Sequence, residues 1–200
     1  LWRAAIVPAI FNSVGQVLFT WAHYKIEPGL LTFGLRLQIV FVAVGAAMLF
    51  PAERRVVRSP VYIAGAALVL GGAMGTGLFG DEPLIGGSFW GFMMAIASGA
   101  LFAGYALSVR KCMAGIHPVV AFAAISQYTA GVMLILMFAF GERMGATALD
   151  MATDHFALLL LSAVLGIALG HLFYYTSIAN LGVAVSASSP AESSVAAAAG

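Results

Sequence analysis

Few side chains in this 200-residue sequence have the chemistry of a catalytic group, and none of them forms a known motif. The four histidines, His23, His117, His155 and His171, lack the spacing of a metal site such as H-E-x-x-H. Neither a G-x-S-x-G turn for a nucleophile nor a Gly-rich phosphate loop with its lysine occurs. A single cysteine, Cys112, excludes a disulfide within the chain. We therefore expect no enzyme, and no catalytic residue, metal ion or cofactor.

The composition explains where the polar side chains must lie. Apolar residues make up 62% of the chain and charged residues 8%, against roughly 45–50% and about 25% in soluble domains. A helix needs about 20 mainly apolar residues to cross the hydrocarbon core of a membrane. The runs of this kind are Ala4–Ala22, Gly29–Phe50, Val61–Gly80, Ser88–Val109, Val119–Phe140 and Phe156–Ala179, with a poorer candidate at Leu181–Ala199. The sequence therefore predicts an all-α fold, a polytopic transmembrane helical bundle in the lipid bilayer.

Basic residues near the ends of these runs predict the orientation, because Lys and Arg beside short loops stay on the cytoplasmic side. If the spans alternate, one side carries Arg3, Arg54, Arg55, Arg58, Arg110 and Lys111, and the other carries Lys25 and Arg143. The majority places the start of the chain in the cytoplasm and the Asp81-Glu82 turn outside, in a plasma membrane of the bacterial inner type. Since the basic residues are used at the membrane surface, the net charge of +1 gives no reason to expect nucleic acid as a partner.

Two ionisable side chains, Arg36 and His171, fall inside the apolar runs. Arg36 stands seven residues into its run, which is about 10 Å from the helix start at 1.5 Å per residue. It is either an anchor that reaches the outer headgroups or a contact for an anion or carboxylate in a transport cavity. Gln38 would point to a different face. His171 either titrates near neutral pH and couples transport to protons, or stays neutral and hydrogen-bonds to a neighbouring helix.

Two glycine-led stretches echo each other 155 residues apart, "GQVLFTWAHYKIEPGLLTF" from Gly15 and "GHLFYYTSIANLGVAVSAS" from Gly170. Five spans separate them, and an odd number reverses the orientation. Inverted-topology repeats of this kind place the substrate site of secondary transporters near the bilayer midplane. Gln16 and His171 follow the leading glycines, so a two-fold axis would bring them to equivalent places. Gly-rich apolar helices also match by chance, and that alternative stays open.

Aromatic side chains near the same positions allow two interpretations. Tyr174, Tyr175, Trp21 and Tyr24 could line a cavity for flat or apolar substrates, or they could form the aromatic belt at a membrane interface. For Trp21 and Tyr24, which stand at the end of a run, the belt is the favoured interpretation.

Uncharged polar and small residues inside the runs predict how the helices pack. Gln127, Asn12 and Ser13 are expected to form hydrogen bonds between helices, each worth roughly 0.6–2 kcal/mol. Gly71 and Gly75 form a small-residue stripe that would let helices approach closely. The substrate-pathway candidates are therefore Arg36, Gln16, His171, Tyr174 and Gln127.

Three stretches also carry a resemblance to a known family. The run "PGLLTFGLRLQIVFVAVGAAMLFPAERRVVRSPVYIAGAALVLGGAMG" joins a helix, a Glu-Arg turn and a Gly-led helix, and "GFMMAIASGALFAGYALSVRK" and "GIALGHLFYYTSIANLGVAVSAS" follow it. Together they resemble the EamA-type branch of the drug/metabolite transporter superfamily. The resemblance implies two five-helix inverted repeats, of which helices three to nine lie here. Residues 1–80 would end the first repeat with three helices, and residues 86–200 would form most of the second, with three clear helices and one doubtful.

The end of the chain departs from the family pattern. After Ala187 the family has an apolar helix with a central proline, whereas this chain reads "SSPAESSVAAAAG". Glu192 among serines does not suit a lipid-facing span, which makes a ninth helix over residues 186–200 doubtful. We expect the sequence to be a fragment, without helices one, two and ten of the family.

These features predict the class of protein but not its substrate. The expected function is export of small metabolites or drugs by alternating access, with a small-molecule substrate and the lipid bilayer as partners. A lipid-linked-sugar flippase of the same fold and a non-transporting membrane subunit are the alternatives, and an intramembrane enzyme is the least favoured. Carriers of drugs, amino acids and nucleosides would share every feature used above.

Overall fold

The computed structural model describes residues 1–79 and 88–188. Helices account for almost all of these residues, and no β-strand occurs among them. The α-helices are α1 (Trp2–His23), α2 (Pro28–Arg36), α3 (Gln38–Leu49), α4 (Arg54–Val57), α5 (Pro60–Phe79), α6 (Phe89–Cys112), α7 (Pro118–Phe140), α8 (Thr153–Ser162), α9 (Gly170–Leu181) and α10 (Val183–Ala187). The 3₁₀ segments Pro51–Glu53 and Glu142–Asp150 and the π-helical segment Ala163–Leu169 connect some of them. The all-α prediction is confirmed.

Five stretches of the described chain are long and apolar enough to cross a membrane. They are Trp2–His23, Pro28–Leu49, Phe89–Cys112, Pro118–Phe140 and Thr153–Leu181. A sixth is formed by Pro51–Val57 and Pro60–Gly75 if this pair, which is bent by 67°, counts as one span. The helices agree with the predicted runs to within a few residues, and they indicate a multi-pass membrane protein.

Proline and glycine explain several helix boundaries. Pro28, Pro60 and Pro118 each begin a helix, where the missing N–H would have had no partner within the helix and the fixed φ already suits it. Gly182 ends α9 with φ 89°, a conformation that residues with a Cβ rarely adopt. Pro8 lies inside α1, which continues through it from Trp2 to His23.

Helix α6 forms the centre of the bundle, since it packs against α1, α2 and α3. The backbones approach closely at glycines: a Cβ on Gly34 of α2 would lie 2.8 Å from the Cβ of Ala95, and one on Gly99 of α6 would lie 3.2 Å from the carbonyl oxygen of Leu35. The buried hydroxyl of Ser98 donates a hydrogen bond of 2.9 Å to a carbonyl oxygen of α1. Small residues and interhelical hydrogen bonds supply the attraction because lipid tails are as apolar as the helix faces.

The predicted small-residue stripe on α5 does not make such a contact. A Cβ added at Gly71 or Gly75 would find no atom within 4 Å, whereas one at Gly15, Gly91 or Gly104 would meet a neighbouring helix or its connecting turn. The prediction for α5 was therefore wrong within the described residues, because small residues permit a close approach but do not select which helix makes it.

The ends of α6 define two ends of the bundle. At one of them Arg110 lies beside Glu53, which follows α3; we call this the Glu53 end. At the other, the N–H of Ser88 donates to the carbonyl of Lys25, which follows α1, over 3.2 Å. α1 and the span Pro28–Leu49 therefore run in opposite directions, as the charge count assumed, and the arginines that follow Glu53 lie at the same end as Arg110.

Two predictions concern, in whole or in part, residues outside the described ranges. The acidic turn Asp81-Glu82 lies outside the described residues. The doubtful ninth helix begins as α10, Val183–Ala187, and the rest of it, residues 189–200, again lies outside the described part of the chain.

Candidate functional site

His171 is the ionisable side chain that the structure places among other helices. It is the second residue of α9, directly after the π-helical segment Ala163–Leu169. Its Nδ1 lies 2.9 Å from the carbonyl oxygen of Ile167. One of the two interpretations gave His171 a hydrogen-bond partner on a neighbouring helix, whereas here the π-helical segment of its own span supplies the acceptor.

Three aromatic rings from separate helices surround His171. The imidazole ring centre lies 5.7 Å from that of Phe122 on α7 in a stacked arrangement, and 6.4 Å from those of Tyr105 on α6 and Tyr175 on α9. Tyr105 and Tyr175 are buried, and their hydroxyl groups are hydrogen-bonded to each other. We call these four residues the aromatic cluster.

The aromatic cluster lies within the membrane-spanning part of the bundle. Phe122, Tyr105 and His171 stand four, seven and ten residues from the helix ends at the Glu53 end, or roughly 6, 10 and 15 Å along the helices. With a hydrocarbon core about 30 Å thick, these depths would place Phe122 and Tyr105 on the Glu53 side of the midplane and His171 at the midplane.

The cluster offers a defined set of interactions. Because a carbonyl oxygen only accepts, the bond to Ile167 places a proton on Nδ1 and leaves Nε2 of a neutral ring as an acceptor. No hydrogen bond joins Nε2 to a described residue. Aromatic faces beside it can contact flat or cationic groups. The imidazole of His171 can therefore accept one hydrogen bond or one proton in otherwise apolar surroundings.

Arg36 lies within one apolar span, Pro28–Leu49, in which Leu37 joins α2 to α3 with helical backbone angles, φ −60° and ψ −15°. It is the last residue of α2, and α3 begins at Gln38. The backbone of Gly99 on α6 approaches this junction, since a Cβ there would lie 3.2 Å from the carbonyl oxygen of Leu35 and 3.5 Å from the backbone nitrogen of Gln38. Arg36 is half-buried, and no carboxylate of the described residues forms an ion pair with it.

The remaining polar candidates have different surroundings. The Nδ2 of Asn12 on α1 donates to the hydroxyl of Thr129 on α7 over 3.2 Å, the expected hydrogen bond between helices. Ser13 is buried without a hydrogen-bond partner in the described structure. Gln127 is exposed, and Gln16 is half-buried. No hydrogen bond from either amide side chain to another helix occurs in the described chain.

The aromatic candidates divide into two groups. Tyr174 is buried like Tyr175, so a position in a lipid-facing belt does not suit it. Trp21 and Tyr24 are 55% and 83% exposed at the end of α1, where a belt residue would lie. The structure therefore brings Tyr175 and His171 together, and it leaves Trp21, Tyr24 and the other candidates apart from them.

A second polar group, which the sequence did not single out, lies at the Glu53 end. Glu53 is only 7% exposed. Its carboxylate accepts the backbone N–H groups of Val183 over 3.2 Å and of Ala184 over 2.9 Å, at the start of α10. Carboxylates that accept hydrogen bonds from a helix start are favoured both by the bond and by the helix dipole.

Arg110 completes this group from α6. Its Nε lies 3.6 Å from the Glu53 carboxylate. Its Nη1 donates to the last carbonyls of α9, those of Ile178 over 2.9 Å and Ala179 over 3.2 Å. We call Glu53, Arg110 and their backbone partners the Glu53–Arg110 cluster. The Glu-Arg turn was the available sequence signal, but nothing in the sequence indicated its partners 57 and 130 residues away.

Comparison of the chain with protein-family models, curated proteins and solved structures finds no match. Within the described residues, no three His, Cys, Asp or Glu side chains are grouped so that they could hold a metal ion. The aromatic cluster and the Glu53–Arg110 cluster are therefore the structural features from which a function can be inferred.

Proposed function

We propose that this chain belongs to a transporter that exports small metabolites or drugs by alternating access. The observation that carries the proposal is the position of His171, an ionisable side chain inside an apolar bundle whose Nε2 has no hydrogen-bond partner among the described residues. Ionisable residues within membrane spans are costly, face the bundle interior and mark substrate or proton pathways. The aromatic cluster is the proposed contact site.

An irregular helix in one span supports a transport role. The span Thr153–Leu181 contains the π-helical segment Ala163–Leu169. π-helical segments occur often at functional sites. His171 stands two residues after the end of this segment, which supports it as a pathway candidate. Arg36 remains a candidate because an arginine within an apolar span is costly.

The resemblance to EamA-type transporters agrees with this proposal. It would make α1 to α5 the end of one repeat and α6 to α10 most of an inverted second repeat. In the proposed orientation the start of the chain and the Glu53 end lie in the cytoplasm. The aromatic cluster then extends from the cytoplasmic half of the membrane to its midplane, where it could be reached by an exported compound.

A flippase for lipid-linked sugars is the second candidate. An 18-residue apolar window of the span Thr153–Leu181 contains no buried residue. A span that carries the proposed contact site and also opens to lipid would suit a substrate with a lipid tail. Export of a lipid-linked sugar, measured beside export of small molecules, separates these candidates.

The test is export from membrane vesicles of labelled amino acids, nucleosides and aromatic drugs by the full-length protein. We expect His171→Gln to lower the flux of the transported compound at unchanged membrane abundance, because it removes the ring that contacts the other three aromatics. His155→Gln is the matched control, since His155 is exposed near the start of the same span. Equal flux in both variants would remove His171 from the pathway, and no flux of any compound would leave a non-transporting subunit.

A further inference from the structure

We propose that the Glu53–Arg110 cluster is a latch that closes the Glu53 end of the bundle below the aromatic cluster. The inference rests on the proposed transport function and adds to it the contact that separates the site from one side of the membrane. Three segments far apart in the sequence meet in this contact: the turn after α3, the end of α6 and the junction of α9 with α10.

The latch lies directly beside the aromatic cluster. Arg110 holds the carbonyl of Ile178, one helical turn after Tyr175. A shallow cavity of about 120 Å³ at this end is lined by both Arg110 and Tyr175, together with Met113 and Ile178. The same helix end therefore carries a ring of the contact site and the carbonyls that the latch holds. Movement of this end would alter both.

The chemistry of the contact allows it to open. A carboxylate and a guanidinium regain hydration when they separate into water, and this offsets part of the lost attraction. The Arg110 side chain is already 35% exposed, and its Nε lies 3.6 Å from the carboxylate. The closed state is held by the hydrogen bonds from α10 to Glu53, which are charge-assisted and therefore strong.

Gly182 supplies the joint at which the α10 segment meets the latch. Its φ of 89° turns the chain between α9 and α10 so that the first N–H groups of α10 point at Glu53. A Cβ at this position would lie 2.8 Å from the Glu53 carboxyl carbon. Backbone rotation at such a residue can move α10 relative to α9 without unfolding either helix, which is how hinge residues work.

The experiment measures how fast a membrane-impermeant maleimide labels a reporter cysteine in the full-length protein. The reporter is Ser186→Cys in a Cys112→Ser background, because Ser186 is buried on α10 and nearly isosteric with cysteine. The reagent is applied to vesicles in each orientation, so that one population exposes the Glu53 end. We expect Glu53→Gln to raise the labelling rate from that side about tenfold, which corresponds to ~1.4 kcal/mol, and Arg110→Gln to raise it as well.

Two controls decide between a latch and a general loss of structure. Arg55→Gln removes an exposed charge two residues from Glu53 and should leave the rate unchanged. A second reporter, Ser98→Cys, is buried in the contact between α6 and α1 and should label at the same slow rate with and without Glu53→Gln. Faster labelling of both reporters would show that Glu53 merely stabilises the fold, and this would overturn the proposal. An unchanged rate at Ser186→Cys would overturn it as well.

The outcomes separate this proposal from the transport function, because labelling requires no substrate. If the protein exports a compound but its labelling does not depend on Glu53, the latch is refuted and the transport function is not. Latch-dependent labelling in a protein that exports none of the tested compounds would refute the transport function, and with it the role of the latch in transport.

Discussion

Replacing Gly182 with alanine tests the geometry of the Glu53–Arg110 cluster without any assumption about transport. Gly182 has φ 89° and ψ 164°, a region of backbone conformation that is essentially restricted to glycine. An alanine there must either keep this conformation and bring its Cβ within 2.8 Å of the Glu53 carboxyl carbon, or rotate α10 away from Glu53. Both responses weaken the same contact.

The cost follows from these two terms. A non-glycine residue held in such a conformation costs about 1–3 kcal/mol, and a lost hydrogen bond to a charged group costs about 1.5–3 kcal/mol. The chain can relieve the backbone strain by giving up the hydrogen bond, or keep the hydrogen bond and bear the strain, so the two costs do not add fully. We therefore expect a total of roughly 2–5 kcal/mol. For a chain of this length that lowers Tm by roughly 4–20 °C.

The assay is thermal unfolding of the purified protein in detergent, with Gly170→Ala as the matched control. Gly170 is the first residue of α9, and a Cβ there would meet no atom within 4 Å. Its replacement should leave Tm unchanged or raise it, since alanine suits a helix better than glycine by about 0.5–1 kcal/mol.

A Tm for Gly182→Ala equal to that of the unsubstituted protein would refute the reasoning. Combining the substitution with Glu53→Ala separates the two terms. If the contact with the carboxylate carries part of the cost, Gly182→Ala should destabilise the protein less when Glu53 is absent. An equal loss in both backgrounds would assign the whole cost to the backbone conformation.

Two further predictions concern the packing of the spans. Asn12→Ala and Thr129→Val, measured alone and together by unfolding in detergent, should show a coupling of about 0.6–1.7 kcal/mol, as interhelical hydrogen bonds do in membranes, and strictly additive losses would contradict the bond. Gly34→Ala should destabilise the protein by about 1–3 kcal/mol through overpacking against α6, whereas Gly29→Ala, whose Cβ would meet no atom within 4 Å, should have little effect and serves as the control.

The existence and bounds of the spans could be predicted from the sequence, because a run of about 20 apolar residues separated by proline or charge leaves few alternatives. Which face of each helix is buried could not. In a soluble protein an apolar stripe on a polar helix marks the core. Here the lipid is as apolar as the interior, so α3, α5 and most of α7 carry apolar residues on every face and show no such stripe. For this reason nothing in the sequence indicated that the stripe of Gly71 and Gly75 would lie away from the neighbouring helices.

The candidate site was predictable only in part, for the same reason. His171 stood out because an ionisable residue in an apolar run is rare, but its neighbours Tyr105 and Phe122 could not be distinguished from the aromatic residues that face lipid. The close approach of Gly99 to the backbone at Leu35 and Gln38 also had no signal, because packing between helices that are far apart in the sequence is not encoded locally.

Glu53 shows how a charge at the membrane surface can be misjudged by position alone. A glutamate followed by two arginines in a short turn is ordinarily a solvated group whose ion pairs contribute little. Here it is buried, and the groups that bind its carboxylate belong to α6 and α10. Burying a carboxylate destabilises a protein unless hydrogen bonds or an opposite charge compensate for the lost hydration. Two backbone N–H groups and a guanidinium provide that compensation here. All three groups belong to the α6–α10 part of the chain. The closure of the Glu53 end therefore depends on the position of α6–α10 relative to α3, and alternating access would change that position.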